Sequence, residues 1–166
     1  MSELNPRHVE AVLSAINRCP FFLHMSMTVT EIGVGCSAVF VEIKKDHMNP
    51  FGGLHGGAYA AAIDTAAYWA AYCDLPEGKG LISIDLKVDF LAPVTSGGVT
   101  VIGKQIKAGR SIRLCEATMF SEDRLLAHGT SKLMVTGDKQ SIDQVADYLG
   151  PIALPPKLTG EANAVR

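Results

Sequence analysis

Asp64 is the sole charge in an apolar run of eighteen residues, Gly56 to Cys73, with the sequence GGAYAAAIDTAAYWAAYC. Burying an unpaired carboxylate is costly, so this residue either caps a neighbouring loop or is a reactive group. Burial also perturbs a carboxyl pKa, and such groups concentrate at functional sites. Just upstream stands Asn49-Pro50-Phe51-Gly52-Gly53-Leu54-His55-Gly56-Gly57, a glycine-rich turn leading straight into the apolar run. If that run is a helix, its first turn presents free backbone N–H groups at the positive end of the helix dipole. Glycine there lets a ligand oxygen approach without meeting a side chain, an arrangement suited to polarising a carbonyl or holding an oxyanion. A tight loop packed against a sheet would call for the same glycines.

His55 and Asp64 are nine residues apart. On a helix that spacing is a half-turn, with a rise of about 13 Å. The two cannot meet within one helix, so if both serve one site, Asp64 must come from a second subunit. The remaining candidates carry weaker signals. His8, His24, His47 and His128 have no partner at metal-ligand spacing, and no metal site is expected. Ser83 alternates within Leu81-Ile82-Ser83-Ile84-Asp85, as a strand residue would. There is no G-x-S-x-G nucleophile elbow and no G-x-x-x-x-G-K-[ST] phosphate loop. Lys107, Arg110 and Arg113 read as a cationic hairpin, either a solvated turn or a phosphate contact.

The elements that position these residues follow from periodicity and turn chemistry. Asn5-Pro6 opens an N-terminal helix of about 6–19, with Val9, Val12, Leu13 and Ile16 at helical spacing until Cys19-Pro20 stops it. Met27–Ile32 and Ser37–Ile43 form a hairpin across Gly33-Val34-Gly35, and Lys44–Leu54 is a loop. The apolar helix should end near Asp74-Leu75-Pro76-Glu77-Gly78. Leu81–Leu91, Val99–Lys107, Ser111–Ser121 and Arg124–Val135 alternate as strands with short, turn-rich junctions that favour antiparallel pairing. A short helix over Ser141–Leu149 and a proline-rich tail complete the chain. A helix apolar nearly all round must be covered on most sides. The expectation is an α+β fold, an antiparallel sheet wrapped around one long central helix, whose open edges invite a second copy.

Composition sets the outer bounds. The 166 residues suit one domain (1–166, core about 27–136), are 48% hydrophobic and 19% charged, and carry a net charge of -2. No basic patch is available for a nucleic-acid backbone. The Gly56–Cys73 run barely reaches the ~20 residues a bilayer needs, and a mid-helix Asp there costs roughly 3 kcal/mol. No membrane span is expected. Four scattered cysteines and the absence of a signal-peptide pattern suggest reduced thiols and a cytoplasmic protein.

The stretch Asn49–Asp64, with six residues from Asn to His-Gly-Gly and nine from His to Asp, resembles the hotdog-fold thioesterases. Within them it is most similar to the phenylacetate-degradation thioesterase-like and acyl-CoA thioesterase 13-like branch. The likeness continues through Ser83-Ile84-Asp85-Leu86-Lys87-Val88-Asp89-Phe90-Leu91-Ala92-Pro93 and covers roughly Met27 to Val135. It implies a hotdog fold assembled as homodimers that pair into homotetramers, hydrolysing acyl-CoA at an inter-subunit site. On this resemblance Asn49 helps hold the water or the thioester, His55 supports the site, and the Gly56 N–H polarises the carbonyl. Asp64 is general base or nucleophile from the partner subunit, and Ser83 positions the water. Gly57, Thr65, Lys107 and Arg110 are the residues expected to touch substrate. Coenzyme A arrives as part of that substrate, and no other cofactor is implied. A dehydratase-type hotdog enzyme and a non-catalytic acyl-CoA-binding module are the rival readings. Gly78-Lys79-Gly80 lengthens the connection ahead of Ser83, and the extension of about 138–166 lies outside the likeness, with no role assigned.

Overall fold

The computed structural model describes residues 3–137 and 139–159. Helix α3 (Gly56–Ala70) lies against a six-stranded antiparallel sheet built from β1 (Met27–Gly33), β2 (Cys36–Glu42), β3 (Gly80–Phe90), β4 (Gly98–Ala108), β5 (Ile112–Ser121) and β6 (Arg124–Thr136). The strand order is β1-β2-β4-β5-β6-β3. Consecutive hairpins pair directly, whereas β3 crosses to the far edge beside β6, with Ser83 opposite Leu133. The α+β architecture read from sequence, a sheet wrapped around one long helix, is the one observed.

Small residues bring helix and sheet close. Ala62, Ala66, Ala67 and Ala70 are buried on α3, and the Ser37 hydroxyl donates to the Ala66 carbonyl at 2.6 Å. Gly103 on β4 is required at this crossing, because a Cβ there would stand 2.2 Å from the same carbonyl oxygen. Val29, Val39, Val101, Met119 and Leu133 fill the sheet side of the core.

The ends of the chain differ from expectation in instructive ways. α1 (Pro6–Ile16) is capped by Asn5, whose side chain accepts from Arg7 N–H, but it stops three residues before the expected end. Pro20 does more than stop it: as the first residue of α2 (Pro20–His24) it starts a second helix, since its fixed φ suits a helix N-terminus. The Lys44–Leu54 loop contains one 3-10 turn, Lys45–His47. α3 ends at Ala70 rather than near Asp74, although Tyr72, Cys73 and Leu75 in the following turns stay buried.

The C-terminal extension packs as α4 (Ile142–Leu149) followed by an extended strap. The strap runs along the N-terminal segment, with Asn5 N–H donating to Lys157 O at 2.8 Å and the Asn5 side-chain amide to Pro156 O at 2.8 Å. Lys157 is buried at the end of the central helix, where its ammonium donates to the carbonyls of Tyr72 (3.1 Å) and Leu75 (2.8 Å). A cation there binds carbonyls of the turns that follow the helix and suits the negative end of the helix dipole. His8 joins the same knot: its Nε2 faces the Tyr72 hydroxyl and its Nδ1 the Pro155 carbonyl, each at 2.7 Å. Residues 138 and 160–166 of the extension lie outside the described residues.

Candidate active site

The glycine-rich turn holds its own shape. Asn49 Oδ1 accepts from the backbone N–H groups of Phe51 (2.9 Å) and Gly53 (3.2 Å), so the carboxamide oxygen is committed to the loop. His55 N–H donates to His47 O at 2.9 Å, tying the turn to the buried last residue of the 3-10 segment. His55 is the N-cap of α3, and its Nδ1 accepts from Gly57 N–H at 2.8 Å. In a neutral ring that bond leaves the proton on Nε2. A Cβ on Gly57 would stand 3.0 Å from the same Nδ1, which accounts for glycine at this position.

His55 thus takes up the second amide of the helix and leaves the first. Among the described residues the Gly56 N–H has no acceptor. Gly56 is helical, with φ outside the left-handed region, so a positive φ is not why glycine occurs there. It borders a groove of about 280 Å³ with Leu54, Tyr59, Phe90 and Ala92. The Tyr59 ring is edge-on to Phe90, and its hydroxyl donates to Ala92 O at 3.0 Å.

Two turns along α3, the Ser83 hydroxyl donates to Asp64 Oδ1 at 3.0 Å. The Gly78-Lys79-Gly80 insertion runs directly into β3, whose first paired residue is Gly80 opposite Thr136, and the strand delivers Ser83 to the helix. Burial raises the Asp64 carboxyl above its ordinary value, and the Ser83 hydrogen bond offsets part of that rise. A carboxylate that is half-buried, bonded to one hydroxyl and lifted in pKa is suited to accept a proton.

Asp64 is bordered by space on two sides. On one side an open groove of about 460 Å³ runs between α3 and edge strand β3, past Gly57, Ala60, Ala61 and Ser83. On the other a cavity of about 360 Å³ extends under α4. One wall is made by Thr65, Tyr68 and Trp69 of α3 and by Tyr72 in the turn after it. Thr65 itself is buried, with its hydroxyl turned back to the Ala61 carbonyl at 2.8 Å.

Within one chain these parts do not form a single cluster. From Gly56 to Asp64 the helix rises about 12 Å, and no hydrogen bond among the described residues joins Asn49 or His55 to Asp64. The cationic hairpin is smaller than its sequence suggested. Arg113 is buried and ion-paired with Asp74, with Gln105 accepting from the same guanidinium at 2.9 Å. Strand alternation turns this residue inward, while Lys107 and Arg110 remain exposed near the β4–β5 turn and line none of the cavities described above.

The aromatic residues of α3 gain a meaning that periodicity did not give them. Asp64, Tyr68 and Tyr72 recur every fourth residue, and that spacing was the available sign that they share one wall. Asp74 and Lys157 were not singled out in the sequence, because their partners lie far along the chain.

Known proteins resemble this chain in sequence and in fold. The thioesterase superfamily profile matches residues 51–128, a span that includes His55, Gly56, Asp64 and Ser83. A Haemophilus influenzae relative, assigned provisionally to the esterases by its name, is 30% identical over 103 residues, covering 62% of this chain and 75% of its own. The proofreading thioesterase EntH of Klebsiella pneumoniae is 27% identical over 112 residues, covering 68% of this chain and 82% of its own. The crystal structure of a Haemophilus influenzae thioesterase superposes with a TM-score of 0.71 at 26% identity, covering 77% of this chain and 90% of that one. The chain belongs to the thioesterase superfamily, and its fold is the hotdog fold of those enzymes. Its chemistry is accordingly that of a thioester hydrolase.

Proposed function

We propose that the chain hydrolyses acyl-coenzyme A to free acid and thiol at a site completed by a second copy of itself. The Asp64–Ser83 pair carries this reading: a partly desolvated carboxylate, held by one hydroxyl, faces an open groove beside an unpaired sheet edge. Asp64 either takes the proton from a water that attacks the thioester carbon, or attacks it directly to give an anhydride that water then cleaves. In both routes the coenzyme A thiolate leaves and takes up a proton. The Gly56 N–H of the partner stabilises negative charge on the carbonyl oxygen.

A second copy is favoured by three features. The helix rise separates Gly56 from Asp64 on one chain. Among the described residues, edge strand β3 has no neighbour on its outer side, and it exposes Ile84 (51%), Leu86 (36%) and Phe90 (57%). Along the groove α3 presents Gly57, Ala60 and Ala61, small residues that admit another backbone closely. Pairing of such dimers into tetramers is the assembly that the family resemblance suggests.

Asn49 keeps its amide group for the substrate or water, since only its oxygen is used by the loop. Lys107 and Arg110 stand as exposed cations for the phosphates of coenzyme A. No helix among the described residues is long and apolar enough to cross a membrane, in keeping with an enzyme acting on dissolved acyl-CoA in the cytoplasm. A panel of acyl-CoA substrates with free-thiol detection tests the proposal. Turnover that is lost in Asp64→Asn supports it. Saturable binding of acyl-CoA without hydrolysis by the wild-type protein would replace it with the binding-module reading.

A further inference from the structure

The cavity under α4 is built partly from segments of the chain that the superfamily profile does not reach. Its floor is α3, but its roof is Ser141, Ile142, Val145 and Leu149 of the C-terminal extension, and one flank is Ile16 of α1, Phe22 of α2 and Cys19 at the α2 N-cap. The profile ends at residue 128. Roof and strap are fixed in place: Lys157 locks the strap to the end of the central helix, and the Tyr68 hydroxyl reaches the carbonyls of Leu81 (3.3 Å) and Gln140 (3.4 Å). With the Tyr72 hydroxyl bonded to His8, both tyrosines keep their polar ends occupied.

Asp64 sits where this cavity meets the groove along β3, because it borders both. A thioester carbonyl placed at Asp64 from the groove side therefore has an apolar chamber directly beyond it. Among the described residues, Asp64 and Lys79 are the only charged ones in the lining, and Lys79 is exposed. No buried cation is available there for a distal carboxylate. A volume of about 360 Å³ holds about a dozen groups of ~30 Å³, the share of one water.

Resting on the hydrolase reading above, we propose that this cavity is the acyl pocket. It selects uncharged, apolar acyl groups of up to about a dozen non-hydrogen atoms, medium-chain alkyl or aryl, and the C-terminal helix α4 sets the length limit. Long-chain groups overrun the roof, and acetyl leaves the chamber unfilled.

The chain's single tryptophan, Trp69, lies on the cavity wall and provides a readout independent of turnover. Octanoyl-CoA and phenylacetyl-CoA titrated into the Asp64→Asn protein should change Trp69 fluorescence saturably, and coenzyme A alone should not. In the active protein, kcat/KM should rise from acetyl-CoA to octanoyl- or phenylacetyl-CoA and fall by about tenfold or more at palmitoyl-CoA. Val145→Phe, which fills the chamber from the roof, should lower the decanoyl-to-acetyl ratio of kcat/KM about tenfold, and Val145→Ala should raise it. Thermal unfolding and size measured beside both variants ensure that folded protein is compared. Hydrolysis with a flat chain-length profile, unmoved by either substitution and silent in Trp69, overturns the pocket and leaves the hydrolase reading standing. A saturable Trp69 response without hydrolysis of any acyl-CoA supports the pocket and overturns the hydrolase reading.

Discussion

Ser83 on edge strand β3 donates a 3.0 Å hydrogen bond to Oδ1 of Asp64 in the middle of the central helix. The bond joins two residues on separate elements and fixes a carboxylate that burial otherwise disfavours in its charged form.

Asp64→Asn removes the base while keeping the shape. Turnover should fall by at least ~100-fold, the scale of a lost acid–base group. Stability should not fall with it. The folded-state pKa of Asp64 is raised, so its ionised form weakens the fold as pH climbs from the ordinary carboxylate range through that raised value. At neutral pH the neutral amide relieves this, and Tm should be equal or higher. Calorimetry beside thiol-release kinetics checks both, and near-wild-type kcat would remove Asp64 from the mechanism.

Ser83→Ala deletes a hydrogen bond that favours the carboxylate. The Asp64 pKa should then rise further, because burial is left without that offset. The acid limb of kcat/KM against pH, set by protonation of the base, should move to higher pH. A limb that stays in place in the variant would show that the contact does not govern the ionisation of Asp64.

Asp74→Ala tests a structural pair that the cationic-hairpin reading overlooked. The substitution strands the buried Arg113 guanidinium, whose Nε already lacks a partner among the described residues. Loss of one partner of a buried pair costs about 3 kcal/mol, a fall in Tm of roughly 6–12 °C. Chemical denaturation measures it, and a loss below about 1 kcal/mol would mean that the pair behaves as a surface contact.

Much of this was legible in the sequence because it is local. The alternation of β4 to β6, the all-round apolarity of α3 and the glycine turn before it are patterns within one element; the structure reproduces the strands and the helix start to within a residue or two, while α3 stops at Ala70, short of Asp74. The His55–Asp64 separation was equally readable, since helix geometry alone sets it. Asn17 was not: no local pattern marks it, yet its side chain pairs with both backbone groups of Val29. The same holds for Lys157 at the Tyr72 and Leu75 carbonyls and Arg113 against Asp74, where tertiary placement decides between a solvated and a buried cation. The α4 roof escaped for a related reason. An amphipathic segment shows that it has an apolar face, and only the fold shows which wall that face completes.

Gly56→Pro deletes the unused amide at the start of α3 while keeping a helix-compatible φ. With φ at Gly56 already outside the left-handed region, the fold should tolerate the change, and a modest shift of the Phe90 ring, 3.4 Å from where a Cβ would stand, should accommodate it. Loss of one oxyanion donor lowers kcat by ~10²–10³. Unchanged kcat in a folded protein of native size would show that this amide does not face the thioester.

The most direct test of the shared site mixes these two inactive proteins. Asp64→Asn chains retain Gly56, and Gly56→Pro chains retain Asp64. After subunit exchange, confirmed with differently tagged chains, half of the dimers are mixed, and each has one site with both intact residues. The account predicts recovery of about a quarter of wild-type acyl-CoA hydrolysis, the share of intact sites expected for a two-fold dimer. Activity that stays at the level of the separate mutants after confirmed exchange would contradict a site shared between subunits.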